Sequence, residues 1–275
     1  MTPGFAKPRS ELPWLPYGET DRVIINAHNF TRLFSAAVNG KMPIAAWIPS
    51  RDTAGNGTTT LTALVGASNG TLKNMDAATD WVADANAGGV RALDFDGVND
   101  FVDLGVTSCL SSTGNWTVAG WILHNDTPAD TDPLFSQYTA TAGNGRLFFG
   151  VDSANKLRLF LGSQGAYASV SVTSSSTLAT STWFHIAATR SANVFTIWLN
   201  GASVGTHSAA GARQIQQTGC LLGRYTSNST VYNAINEAGD SLNGRIDDVR
   251  VFDQTLDATD MAYLYSSGSG RGISA

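Results

Sequence analysis

The run Lys156-Leu157-Arg158-Leu159-Phe160-Leu161 places an apolar side chain at every second position, so that Leu157, Leu159 and Leu161 share one face of an extended strand. Comparable short apolar runs recur at 44–47, 92–95, 101–104, 116–123, 134–138, 146–151, 168–172, 183–190, 195–199, 203–206, 221–224 and 244–252. Turn-forming Gly, Asn, Asp and Ser separate them. Asn200-Gly201, between 195–199 and 203–206, predicts a tight hairpin, because both central residues of such a turn need positive φ. Many short strands punctuated in this way specify an all-β sandwich or barrel. Phe95, Phe101, Trp121, Phe184, Ile186, Ile197, Leu199, Ile246, Val249 and Val251 are the expected layer between two sheets.

Composition supports the same class. Hydrophobic residues make up 43% of the 275 and charged ones only 14%, enough to fill a sizeable core and too little charge for a disordered chain. Surface polarity must come from Ser, Thr, Asn and Gly, which suits strands and turns better than solvated helices. The acids are lopsided, 19 Asp against three Glu (Glu11, Glu19 and Glu237). Asp belongs in turns, where its short side chain bonds nearby amides. A net charge of −5 without a basic run excludes the electrostatic footprint of a nucleic-acid binder. No apolar stretch is long enough to cross a bilayer, and the N-terminus lacks the apolar centre of an export signal.

Three stretches follow. Residues 1–42 form an N-terminal arm that opens with Pro3, Pro8, Pro13 and Pro16, an extended beginning. Val23, Ala27, Phe30, Phe34 and Ala37 then recur at the spacing of one helix face, with Thr20 or Asp21 as cap. That face either packs across the sandwich or, through Val23, Phe30 and Phe34, reaches a neighbouring subunit. Residues 43–266 carry the strands. They close on a short helix near 256–265, capped by Asp257, and a Gly/Ser-rich tail covers 267–275. Cys109 and Cys220 are too few for a zinc site. They make a disulfide only if their Cα atoms approach, which spacing does not reveal.

Ala92-Leu93-Asp94-Phe95-Asp96-Gly97-Val98-Asn99-Asp100-Phe101-Val102-Asp103-Leu104 resembles the opening of laminin-G-like jelly-roll domains, of the concanavalin A-like class. Trp116-Thr117-Val118-Ala119-Gly120-Trp121-Ile122 is similar to the strand that follows in that family, and Trp183-Phe184-His185-Ile186-Ala187-Ala188-Thr189 to its central strands. Gly244-Arg245-Ile246-Asp247-Asp248-Val249-Arg250-Val251-Phe252 with the helix after it resembles the closing signature. A Thr-rich insertion at 58–64 departs from the usual spacing, and residues 1–42 lie outside the likeness. The resemblance implies an antiparallel two-sheet jelly roll.

It also implies a Ca2+ site built from loop carboxylates and carbonyls, for which Asp96, Asp100, Asp247 and Asp248 are the candidate ligands. The plain alternative is that Asp96 and Asp100 cap their turn while Asp247 pairs with Arg245 or Arg250. Tyr138, Tyr167, Tyr225 and Tyr232 lie in polar, Gly-rich stretches and are the candidate ligand-binding aromatics; otherwise they cover the sandwich ends. His28, His124, His185 and His207 share no metal-ligand spacing. Glucanases of this class place Glu, Asp and Glu close together on a strand, and three scattered Glu do not supply that set, so no enzyme is expected.

The expected role is a structural or assembly module with a sandwich exposed for surface contacts. An accessory virion protein (decoration, fibre or adhesin) suits a signal-free chain of a normally extracellular class, and its location would be the virion or outside cells. Its partners would be other subunits of a homo-oligomer or virion surface. A calcium-assisted, lectin-like glycan-binding module is the alternative, and a glycoside hydrolase a third.

Overall fold

The computed structural model describes residues 37–66, 68–83, 91–105, 109–111, 113–129, 131–138, 146–162, 169–209, 219–225 and 240–266. Strand β1 (Ala45–Trp47) is followed by β2 (Thr60–Leu61), β3 (Ala63–Val65), β4 (Gly70–Lys73), β5 (Trp81–Val82), β6 (Ala92–Asp96) and β7 (Phe101–Asp103). Next come β8 (Trp116–His124), β9 (Thr131–Tyr138), β10 (Leu147–Asp152), β11 (Lys156–Leu161), β12 (Val170–Thr177) and β13 (Thr182–Ser191). Strands β14 (Val194–Leu199), β15 (Ala202–Ser208), β16 (Gly219–Leu222) and β17 (Asn243–Phe252) precede the single described α-helix, α1 (Ala258–Tyr265); a short 3-10 turn covers Pro49–Arg51.

Among the described residues these strands make two sheets. The nine-stranded sheet runs β15-β14-β13-β8-β17-β1-β3, with β6 beside β17 and β5 beside β6; the eight-stranded sheet runs β12-β11-β10-β9-β16-β7-β4-β2. Every paired neighbour is antiparallel. The expected two-sheet antiparallel sandwich is therefore present. No described helix is long and apolar enough to cross a membrane.

Alternation decides which side chains enter the interlayer. On β11, Leu157, Leu159 and Leu161 are buried as the sequence predicts, in one core cluster with Ile186, Ile197, Val249 and Val251 of the other sheet. Burying one such side chain contributes on the order of 1.5–3 kcal/mol. Phe95 and Ile246 join this core, and Phe184 and Leu199 pack against its edge. Phe101 and Trp121 are corrections: both are buried, but on the outer faces of their sheets. Val102 and Ile122, one residue on, take the inward positions. Trp121 instead meets His185 edge-on at 5.5 Å and stacks on Tyr265 at 6.0 Å.

The Asn200-Gly201 hairpin forms with both residues at positive φ, joining β14 to β15. Strands β2, β3 and β5 are too short to show an alternation, whereas four-residue β4 alternates buried and exposed positions; none of the four was expected from sequence. Helix α1 carries a full capping box. The Asp257 side chain accepts from the amides of Thr259 and Asp260, and Asp260 answers the amide of Asp257. Asn39 and Lys41 also bond the Asp260 carboxylate, which pins the turn at 38–41 to the start of α1. Ala37, the last residue of the predicted helix face, leads into a bridged turn, Val38 with Lys41. The rest of that predicted helix, including Val23, Phe30 and Phe34, lies outside the described residues.

Candidate functional site

On the eight-stranded sheet, the side chains that alternation turns away from the core form a continuous outer face. Strand register aligns Phe160 with Phe148, Phe148 with Ser136, and Ser136 with Leu221, a row across four strands. Phe101 of β7 packs on Leu221 beside this row. The Ser136 hydroxyl donates to the Arg224 carbonyl at 2.6 Å and fixes the chain as it leaves β16. Gly223 makes that exit feasible: its φ is +76°, and a Cβ there would lie 2.4 Å from the Phe95 ring.

The next two residues complete the face. The Tyr225 ring meets Phe148 edge-on, with centroids 5.6 Å apart. The Arg146 guanidinium lies 5.8 Å from the Tyr225 centroid, that of Arg158 5.2 Å from Phe160, and that of Arg224 5.4 Å from Phe101. Three cation–π pairs thus share one sheet face, each contributing about 0.5–1 kcal/mol where water reaches it. Phe148, Phe101 and Arg224 are buried and form the floor; Tyr225, Phe160, Arg146 and Arg158 are half-buried and open to solvent. Such a surface offers flat apolar rings together with planar, forked donors whose charge does not titrate near neutrality.

Of the four tyrosines singled out from sequence, Tyr225 lies on this face. Tyr138 ends β9, its backbone paired with Gly219, and its side chain lies outside the description, as do Tyr167 and Tyr232 entirely. Phe148, Phe160, Arg146, Arg158 and Arg224 were not singled out. One signal was present: on β11 the polar phase reads Lys156, Arg158, Phe160, and an aromatic there has no core to enter.

The four aspartates expected to bind calcium fall into two separate pairs. Asp96 Oδ1 accepts from the amides of Val98, Asn99 and Asp100 at 2.8, 3.1 and 3.4 Å, and Asp100 Oδ2 accepts from the Asp96 amide at 3.1 Å. They close the turn between β6 and β7. Asp247 and Asp248 lie on β17 beyond Asn243, the residue that pairs with Asp96. Asp247 Oδ1 accepts from the Ser50 amide at 3.1 Å, and Asp248 binds Arg250 through both oxygens, at 2.6 and 2.8 Å. The ionic partner of Arg250 is thus Asp248 where Asp247 was expected, and Arg245 pairs with Asp94 at 3.0 Å. This donor set does not fit calcium, which gathers roughly six to eight oxygens around one point. No group of three or more His, Cys, Asp or Glu gathers for a metal among the described residues.

Burial shapes the proton affinity of several of these groups. It pushes Asp247 up to about 8, with Asp248 adding repulsion, and Asp132 up to about 7. Asp100 rises to about 6 through burial and the neighbouring Asp96. Burial lowers His185 to about 4. Asp132 and His124, 3.9 Å apart at the end of β8, are both buried.

Two antiparallel layers closed over one apolar core define a concanavalin A-like sandwich. The chain belongs to the concanavalin A-like lectin/glucanases superfamily, whose laminin-G-type model matches residues 95–262. Among solved structures it is similar to domain 4 of AbnA, a GH43 extracellular arabinanase from Geobacillus stearothermophilus, in complex with arabinotriose. The TM-score is 0.59 at 16% identity, covering 80% of this chain and 96% of that one. It is also similar to Trypanosoma rangeli sialidase in complex with sialic acid, with TM-score 0.55 and 12% identity over 82% of this chain. This chain spans 33% of that sialidase. At such identities the likeness is one of fold. Comparison with curated protein sequences finds no match.

Proposed function

We propose that the chain binds carbohydrate on the outer face of its eight-stranded sheet and does not cleave it. One observation carries the reading: Tyr225 and Phe160, half-buried on neighbouring parts of one face, each lie beneath a guanidinium, Arg146 and Arg158. Aromatic rings give sugar rings an apolar surface, and a few placed polar groups fix orientation. Membership of a superfamily of lectins and glucanases supports the class. A similar sandwich, the arabinanase domain, is itself known in complex with arabinotriose.

Binding without turnover is supported by where the acids lie. Asp132 and Asp247, whose protons are held most tightly, are buried, and Asp247 belongs to the other sheet. The accessory-virion role expected from sequence rests on fold-level analogy; the arm residues that would supply its subunit contact, Val23, Phe30 and Phe34, lie outside the described residues, and no structural observation favours it over glycan binding.

A glycan array, followed by product analysis on every sugar bound, tests the proposal. Retention of at least one glycan class without release of shorter products is expected, and unchanged by EDTA. Failure to retain any glycan, or release of products, overturns it.

A further inference from the structure

Spacing did not reveal whether the two cysteines meet; the fold brings them together. Cys220 lies on β16 and Cys109 in the segment after β7, the strand beside it. The Leu104 amide donates to the Cys220 carbonyl at 3.1 Å, so the chain leaves β7 directly against Cys220. Both cysteines are free thiols buried in the main interlayer core, and the Cys220 side chain is near enough to Cys109 to be the largest influence on its proton affinity. Gln137, the register partner of Cys220 on β9, donates from its Nε2 to Cys220 Sγ at 3.4 Å.

We propose that Cys109 and Cys220 are the two halves of an internal disulfide that braces the centre of the eight-stranded sheet. This does not rest on the glycan reading. The oxidant is a small disulfide such as oxidised glutathione. One protein thiolate attacks it, forming a mixed disulfide and releasing one glutathione thiol. The second protein thiolate then attacks the protein-bound sulfur and releases the other. The two protons and two electrons of the protein thiols leave with the two glutathione thiols. In the closed fold, the neighbouring Cys220 and burial raise the Cys109 thiol and keep it protonated and unreactive. Exchange therefore occurs while the core is open, during folding. The link ties β16 to the segment after β7 across a long loop, which restricts the unfolded chain. Phe101 and Leu221 of the outer face stand on β7 and β16, and Arg224 follows just after β16.

The test refolds the full chain in a glutathione redox buffer and, separately, in excess reductant. Expected from the redox buffer are loss of two hydrogens by intact mass, no titratable thiol after denaturation, a Cys109–Cys220 crosslinked peptide, and a melting temperature several degrees above the reduced form. A Cys109→Ala/Cys220→Ala variant should melt with the reduced protein and ignore the buffer, which separates the link from any general effect of glutathione. Two free thiols, glutathione adducts or disulfide-linked dimers in place of the internal bond overturn the proposal. So does an internal bond that leaves the melting temperature unchanged.

Discussion

Arg250 grips Asp248 two residues earlier on the same strand, Nε to Oδ1 at 2.6 Å and Nη2 to Oδ2 at 2.8 Å, with Arg250 2% exposed. A bulge makes the grip possible. Register on β17 shifts between Asp247 and Arg250, and Asp248, at φ 50°, is the extra residue. Removing one member of a buried pair strands the other charge. Arg250→Ala is expected to lower stability by about 3–5 kcal/mol. The double change Asp248→Asn/Arg250→Met, which keeps a residue tolerant of positive φ, should recover most of that loss in urea denaturation.

Gly223 turns the chain from β16 toward Tyr225 at a conformation other residues resist, with the Phe95 ring standing where a Cβ would go. Gly223→Ala adds backbone strain and an overpacked contact, together about 2–4 kcal/mol. Thermal melting reads the loss. A larger fall in ligand affinity than in stability is not expected, because Tyr225 moves only as the strand exit moves.

Asp247 sets a pH dependence. Its carboxyl keeps its proton up to about 8 in the fold, whereas in the unfolded chain it ionises near the ordinary value of about 3.9. Between those values the unfolded chain has released a proton that the fold retains, so stability falls as pH rises and levels off above about 8. Asp132, raised to about 7, acts in the same direction. His185, lowered to about 4, acts oppositely, removing stability as pH falls below its ordinary value. Asp247→Asn keeps an acceptor for the Ser50 amide and cannot ionise. Denaturation at several pH values from near neutrality upward should show a shallower loss for the variant than for the parent.

Asp257 holds the first turn of α1 by accepting from Thr259 and Asp260 at 2.9 and 3.1 Å. Asp257→Ala should cost about 1 kcal/mol. Asp260→Ala should cost more, since Asp260 also receives Asn39 and Lys41 and joins the turn at 38–41 to the helix. Melting of the two variants side by side checks the order.

The strands were legible where alternation lasts several residues, as on β11, whose bounds match the sequence reading. They were not legible for two-residue β2 and β5, where no period can develop. The spacing of Ile246, Val249 and Val251, all core residues, already contained the bulge as a three-residue step, although it does not say which Asp meets Arg250. Tyr225 was found from its polar neighbourhood. Its companions come from two other places in the chain, Arg146 and Phe148 around the start of β10 and Phe160 on β11, and meet it only through register, which no single segment encodes. The cysteine pair is a similar case: its contact depends on β16 lying beside β7.

Calorimetric titration of arabino- and sialyl-oligosaccharides into the parent, Tyr225→Ala and Phe160→Ala, with folding checked by circular dichroism, bears most directly on the binding face. Saturable binding by the parent and at least a tenfold loss, about 1.4 kcal/mol, in each folded variant is expected. Folded variants that bind as tightly as the parent would contradict the account.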